Sequence, residues 1–214
     1  MEIFLDTADI NLIEKYRYFI DGVTTNPSLM ASSGEEDHIS AVKKICTIVD
    51  GPISVEVTAE SYEDMLDEGK MLADIHPNIC VKLPCTFDGF KVCKALSKKG
   101  ISTNLTLCFS SAQALIAAQC GATYVSPFVG RIDDIGQDGL SLIEEIADIF
   151  AVQEIETKVL AASIRNINHF TCAAQVGADA ITLPANVLEQ SFVHPLTTAG
   201  LSKFMKDWNN RKKN

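Results

Sequence analysis

The chain has 214 residues, 47% hydrophobic and 21% charged, a globular composition and neither a disordered nor a fibrous one. Its 18 basic residues stand against 28 acidic ones, a net charge of −10, which argues against nucleic-acid binding through a basic footprint. No apolar run reaches the ~18 residues of a membrane span. Met1 leads straight into EIFLDTAD, which has no basic region and no leader-like apolar core. A cytoplasmic protein without membrane partners is expected.

The elements alternate along the chain. β-branched runs at 2–7, 22–26, 53–58, 78–84, 101–107, 123–129, 158–163 and 180–184 read as strands. Stretches with helical spacing separate most of them, such as Tyr62, Met65, Leu66 and Gly69, or Ile143, Ile146, Ala147 and Phe150. Eight strand–helix units predict parallel pairing with right-handed crossovers and, most economically, a closed α/β (β/α)8 TIM barrel. An open doubly wound sheet lacks support, since no GxGxxG or GxxxxGK[ST] motif is present. Gly121 and Gly177 read as helix stops, and Ser32-Ser33-Gly34 as a short loop before a helix. No linker or composition shift appears, so residues 1–214 are expected to form one barrel domain. An additional helix is expected over 195–209, with Leu201, Phe204, Met205 and Trp208 on one face. That face either packs on its own barrel or covers a neighbouring subunit.

Seven cysteines, an odd number without a CxxC pair, read as reduced and mostly buried thiols. The four histidines form no metal-binding pattern, so no zinc site is expected. A cysteine hydrolase using Cys85 or Cys108 lacks a histidine at any strand end to activate the thiol.

In a barrel, polar residues at the C-terminal ends of strands build the active site. Here those ends carry Asp6, Thr25, Asn26, Glu56, Lys82, Asn104, Thr106, Ser126, Phe128 and Ser163. Lys82 stands out because Ile79-Cys80-Val81-Lys82-Leu83-Pro84 is otherwise apolar. It is either a lysine paired with a structural carboxylate or an amine that attacks a carbonyl to form a Schiff base. Asp6 and Glu56 at the same mouth favour the second reading: one amine and two carboxylates suffice for imine chemistry. Arg131, Ser163 and Arg165 follow strands six and seven, where barrels bind phosphate. Alternatively, Arg131 pairs with Asp133 or Asp134.

Five segments, DGVTTNPSLM (21–30), VKLP (81–84), TNLTLCFS (103–110), YVSPFVGRIDD (124–134) and AASIRN (161–166), resemble the transaldolase family, most closely its small branch that includes the fructose-6-phosphate aldolases. The resemblance runs from LDTAD near the N-terminus to the last helix. It implies that Lys82 is the Schiff-base lysine, that Asp6 is the acid/base for carbon–carbon cleavage, and that Glu56 and Thr106 hold a catalytic water. It assigns Asn26, Asn104 and Ser126 to the dihydroxyacetone hydroxyls, and Arg131, Ser163 and Arg165 to phosphate. It implies no metal and no organic cofactor, phosphorylated sugars as substrates, and a homo-oligomer, a pentamer or a decamer of stacked pentamers, whose last helix reaches a neighbour. The aldolase branch resembles a version with glutamine at position 56 and tyrosine at 128. Glu56 and Phe128 here are of transaldolase type, so transfer of a dihydroxyacetone unit is expected, with release of free dihydroxyacetone as the alternative.

Overall fold

Eight short strands pair in a closed parallel ring in the computed structural model, which describes residues 1–32 and 37–211. They are β1 (Glu2–Asp6), β2 (Gly22–Thr24), β3 (Ile53–Glu56), β4 (Ile79–Pro84), β5 (Thr103–Cys108), β6 (Tyr124–Pro127), β7 (Lys158–Ala161) and β8 (Ala180–Leu183). Each pairs with the next, and β8 returns to β1. The helices are α1 (Ile10–Tyr16), α2 (Pro27–Ser32), α3 (His38–Cys46), α4 (Tyr62–Ala73), α5 (Phe87–Ser97), α6 (Ser111–Gln119), α7 (Val129–Asp133), α8 (Gly139–Val152), α9 (Ile167–Gln175), α10 (Ala185–Ser191) and α11 (Pro195–Asn210). Side-chain oxygens of Asp9, Asp37, Ser61, Thr86, Ser110, Asp138 and Asn166 accept the free amide hydrogens that begin α1, α3, α4, α5, α6, α8 and α9. The (β/α)8 barrel with an additional C-terminal helix is therefore the observed architecture.

The pleat divides each strand between two cores. Outward residues such as Leu5, Val23, Ile53, Val81, Leu83, Leu105 and Val125 pack under the helices with Ile13, Ile45, Leu96 and Ile146. Inward residues Phe4, Cys80, Tyr124, Leu160, Ala162 and Ala180 fill the barrel. Phe4 lies opposite Gly22 in the β1–β2 register, and a Cβ at Gly22 would stand 2.5 Å from the Phe4 ring. Below this floor Lys158 Nζ meets Glu2 Oε1 at 2.5 Å, and the Tyr124 hydroxyl donates to Glu2 Oε2 at 2.8 Å. Above it, register places Asp6 opposite Thr24, and Lys82 between Glu56 and Asn104.

The differences from the sequence expectation concern the strand ends and the short helices. Strands two, three, six and seven end early, at Thr24, Glu56, Pro127 and Ala161, because the residues beyond them serve the next helix. Asn26 Oδ1 accepts the Leu29 amide at the start of α2, and Phe128 precedes α7. Ser32 closes α2 instead of opening a loop, while residues 33 and 34 lie outside the described residues. The C-terminal helix is the eleventh and not the ninth among the described residues, since the short helices α2 and α7 follow β2 and β6. Gly121 and Gly177 do stop helices in left-handed backbone, at φ +84° and +93°. Cys80, Cys93 and Cys108 are buried, while Cys46, Cys85, Cys120 and Cys172 are only partly so.

The α11 helix does not pack on its own barrel: none of its residues is buried, and Leu201, Phe204, Met205 and Trp208 are each more than half exposed. Among the described residues, no helix is long and apolar enough to cross a membrane.

Leu105 tests the division between the two cores. It is fully buried beneath the helices, between inward Asn104 and Thr106. Leu105→Ala should cost about 3 kcal/mol, read as a fall in Tm of roughly 6–12 °C.

Candidate active site

The upper interior of the barrel opens into a cavity of about 160 Å³, lined by residues including Asp6, Thr24, Asn26, Lys82, Thr106, Ser126, Phe128, Arg131, Ser163 and Thr182. Every strand but β3 supplies a lining residue from its end or from the loop after it, so the polar groups converge because the strands are parallel.

Lys82 is only 5% exposed. Its Nζ donates to the Thr25 carbonyl at 3.0 Å and sits 3.0 Å from Glu56 Oε2. The carboxylate is thus placed to exchange a proton with the amine. Asp6 Oδ1 accepts the Thr24 hydroxyl at 2.7 Å, and Thr24 in turn meets Thr182 of β8, the strand on the other side of β1. Burial pushes the Asp6 carboxyl above the ordinary carboxylate range, against the opposing pull of the Lys82 charge and the Thr24 hydroxyl. Asp6 therefore keeps its proton at higher pH than a surface aspartate, as a group that gives and takes protons requires.

Asn104 is fully buried beneath the cavity. Its Nδ2 donates to Ser54 Oγ at 3.1 Å, and its Oδ1 accepts the Ser126 hydroxyl at 2.7 Å. It thereby fixes Ser126 at the cavity wall. Thr106 Oγ1 is buried without a hydrogen-bond partner, a polar atom left for a bound molecule. Phe128 rests edge-on against Phe109 at 5.8 Å between ring centres, with the Arg131 guanidinium 5.1 Å over its face.

Of the three phosphate candidates, Arg131 and Ser163 line the cavity and Arg165 does not. The Arg165 guanidinium is bound by both carboxylate oxygens of Asp134, and Arg165 holds the Asp134 carboxyl below its usual range. Neighbouring Asp133 pairs with His169, its Oδ2 3.1 Å from Nε2. Asp134 and Asp133 thus pair with Arg165 and His169, and not with Arg131 as the alternative reading had it. Ser163 has a left-handed backbone, φ +58°, and its carbonyl accepts the Gly130 amide at 3.0 Å. A Cβ at Gly130 would stand 2.5 Å from that carbonyl oxygen, so only glycine lets the two loops close together here.

Several residues that hold the site were not singled out from the sequence: Thr24, Thr182 and Ser54. Their signal was weak, since Thr and Ser are ordinary in strands. The inward alternation of Thr24, Ser54 and Thr182 with apolar neighbours was the one available cue. Among the described residues, no group of three or more His, Cys, Asp and Glu is placed to hold a metal ion.

The model of the transaldolase/fructose-6-phosphate aldolase family matches residues 3–214. A probable transaldolase of Clostridioides difficile is 54% identical over 210 residues, covering 97% of both chains. One from Rhizobium meliloti is 51% identical over 97% of this chain and 96% of its own. One from Thermodesulfovibrio yellowstonii is 51% identical over the full length of both.

The raised Asp6 pKa has a stability consequence. The folded state holds this proton more tightly than the unfolded chain, so stability falls as pH rises from the ordinary value of 3.8 through the raised one. Asp6→Asn, which carries no charge to bury, should therefore raise Tm relative to wild type at neutral pH. It should not do so below pH ~3, where both side chains are neutral. Calorimetry at the two pH values reads the difference.

Proposed function

The chain belongs to the transaldolase/fructose-6-phosphate aldolase family, and on that premise we propose that it is a transaldolase. It transfers a dihydroxyacetone unit from a ketose phosphate, sedoheptulose 7-phosphate or fructose 6-phosphate, to glyceraldehyde 3-phosphate or erythrose 4-phosphate. This is a step of the non-oxidative pentose phosphate pathway. One observation carries the reading. A lysine amine is buried in an apolar strand, 3.0 Å from one carboxylate, and shares a cavity with a second carboxyl whose pKa is raised.

The Lys82 amine adds to the ketone carbon C2 of the donor. The carbinolamine loses its hydroxyl as water, with Glu56 moving the protons, and an imine remains. Asp6 then takes the proton of the C4 hydroxyl as the C3–C4 bond breaks. The aldose leaves, and the electron pair passes from C3 into the protonated imine as an enamine. An acceptor aldehyde enters, C3 attacks its carbonyl carbon, and Asp6 returns the proton to the new hydroxyl. Water held by Glu56 and by the unpaired Thr106 hydroxyl hydrolyses the imine and frees Lys82. Asn26, Asn104 and Ser126 position the hydroxyls of the three-carbon unit. Phe128 has no polar atom, so that water answers to Glu56 and Thr106 alone.

Arg131 and Ser163 take the phosphate at the cavity rim. Arg165 joins them when the phosphate competes with Asp134 for its guanidinium. The enzyme works in the cytoplasm, where phosphorylated sugars are held. Its α11 helix, with no buried residue, covers a neighbouring subunit in a homo-oligomer.

Borohydride in the presence of fructose 6-phosphate should trap a covalent adduct on Lys82, read by peptide mass spectrometry. An adduct on Lys91 or Lys158 would sink the assignment, and Lys82→Met should remain folded without turnover. Erythrose 4-phosphate should greatly accelerate consumption of fructose 6-phosphate. Equal rates with and without the acceptor would instead identify an aldolase.

Arg131→Ala should raise KM for phosphorylated donors roughly 10- to 100-fold, the worth of a charge-assisted hydrogen bond, and affect dihydroxyacetone less. Removal of residues 195–214 should lower the assembly mass in light scattering. An unchanged assembly would refute the role given to α11.

A further inference from the structure

In the reaction above, Glu56 serves both the formation and the hydrolysis of the imine, yet its side chain is thinly anchored. It ends β3, opposite Lys82 in the β3–β4 register. Among the described residues its carboxylate has no polar partner but the Lys82 amine, 3.0 Å away. Asp6 and Ser126 differ, since Thr24 and Asn104 hold them whatever state Lys82 is in. Once Lys82 is joined to a substrate as an imine, its nitrogen has at most one hydrogen left to give. On another side Glu56 borders a second cavity, of about 200 Å³, together with Asn26, Val55, Thr58 and Glu68. Lys82 does not line it, so this space lets an unheld carboxylate turn away from the amine.

The backbone supplies what the side chain lacks. The Val57 amide donates to the Lys82 carbonyl at 3.1 Å, which carries the strand pairing one residue past Glu56. The next two amides turn to α4 instead, where Glu68 takes both. Its Oε1 and Oε2 accept the Thr58 amide at 3.0 and 2.9 Å, and Oε2 accepts the Ala59 amide at 2.8 Å. Oε1 also accepts the Thr58 hydroxyl at 3.0 Å. A charged acceptor makes such bonds stronger than a neutral one does. Glu68 itself stands on a fixed element. Ser61 caps α4 by accepting the Asp64 amide, and Met65 and Leu72, a turn to either side of Glu68, are buried. A Cβ at Gly69 would lie 3.1 Å from Leu96 and 3.3 Å from Val81. The helix thus sits close against β4, the strand that carries Lys82, and Glu68 passes that position on to the loop after Glu56.

We propose that Glu68 is a positioning residue for Glu56: by holding the Thr58 and Ala59 amides it keeps the Glu56 carboxylate aimed at the Lys82 nitrogen while the imine forms and is hydrolysed. This role deepens the proposed transaldolase reaction and rests on it. Glu68 does not line the cavity that holds Lys82 and acts only through the two residues of backbone between Glu56 and the clamp. The steps that need Glu56 are proton transfers, which depend steeply on the position of the acid or base. Loss of the clamp therefore falls on turnover. Donor binding depends on Arg131 and Ser163, which the clamp does not touch.

The test compares the full-length wild type with Glu68→Gln, whose side chain has one acceptor oxygen and turns an NH2 group toward the loop amides. Transfer from fructose 6-phosphate to erythrose 4-phosphate should fall roughly tenfold in kcat, with KM for fructose 6-phosphate changed less than about threefold. Hydrogen exchange at the Thr58 and Ala59 amides should quicken. The deciding arm is a double-mutant cycle with Glu56→Gln, which keeps the shape of that side chain and can still orient a water. Adding Glu68→Gln in that background should cost less than about twofold in kcat, because its route of action is already gone. A full tenfold further loss there overturns the proposal and leaves Glu68 a support of the fold at large. Unchanged kcat in Glu68→Gln overturns it as well, whatever the loop exchange shows. Where Glu68→Gln does not fold, Thr58→Val removes only the hydroxyl contact at an exposed residue. It should lower kcat about threefold, again with no further loss beside Glu56→Gln. Wild type that forms no adduct on Lys82 would count against the proposed function, whereas the loop exchange reads the clamp independently of the sugar chemistry.

Discussion

Closure of eight parallel strands leaves an interior only wide enough for side chains, and everything at the site depends on how that interior is filled. Phe4 occupies the middle of it, against a position where Gly22 has no side chain to offer. This apolar plug, with Cys80, Leu160 and Ala180, separates the Glu2, Tyr124 and Lys158 cluster below from the polar layer above. Above the plug, Lys82 is 5% exposed and takes its partners, the Thr25 carbonyl and Glu56, from within the barrel.

The polar layer is held before any substrate arrives. Thr24 bridges Asp6 and Thr182, so three strands agree on the position of one carboxyl. Ser54, Asn104 and Ser126 form a second chain across β3, β5 and β6. Lys82 joins β2 to β3 through the Thr25 carbonyl and Glu56. Hydrogen bonds of this kind contribute only about 1 kcal/mol each to stability. Their larger effect is on geometry, because each polar group of the layer is oriented by a neighbour. Thr106 is the exception, a buried hydroxyl without a hydrogen-bond partner.

The rim follows other rules. There the loops leave the strands, and strained backbone at Leu107 and Ser163 re-aims side chains that the pleat would have sent elsewhere. At Ser163 the result is the close approach of the Gly130 and Ser163 loops. At Leu107 it is the outward turn of Cys108 into the layer beneath the helices. Arg165 shows a third rim device: a cation whose charge is taken up by the Asp134 carboxylate beside it.

Much of this molecule was legible along the chain. Alternation of strand and helix determined the barrel, because eight parallel strands with helical crossovers have few other ways to bury their faces. An almost wholly apolar run around Lys82 determined which residue to watch, since a charge there must have partners. Positions at strand ends marked Asp6, Glu56, Asn104, Thr106 and Ser126, as parallel strands send all their C-terminal ends to one mouth. Only the tertiary structure decided which groups touch. Thr24 and Ser54 look like ordinary strand residues until register sets them beside Asp6 and Asn104. Arg131 and Arg165 are equivalent in sequence, yet one faces the cavity and the other is bound by Asp134. Strict alternation would turn Cys108 into the barrel, and a bulge that no local pattern announces turns it outward instead. Periodicity is a local property of the chain and can be read in place. Register, bulges and competing partners depend on the neighbouring strand, which exists only once the barrel has closed.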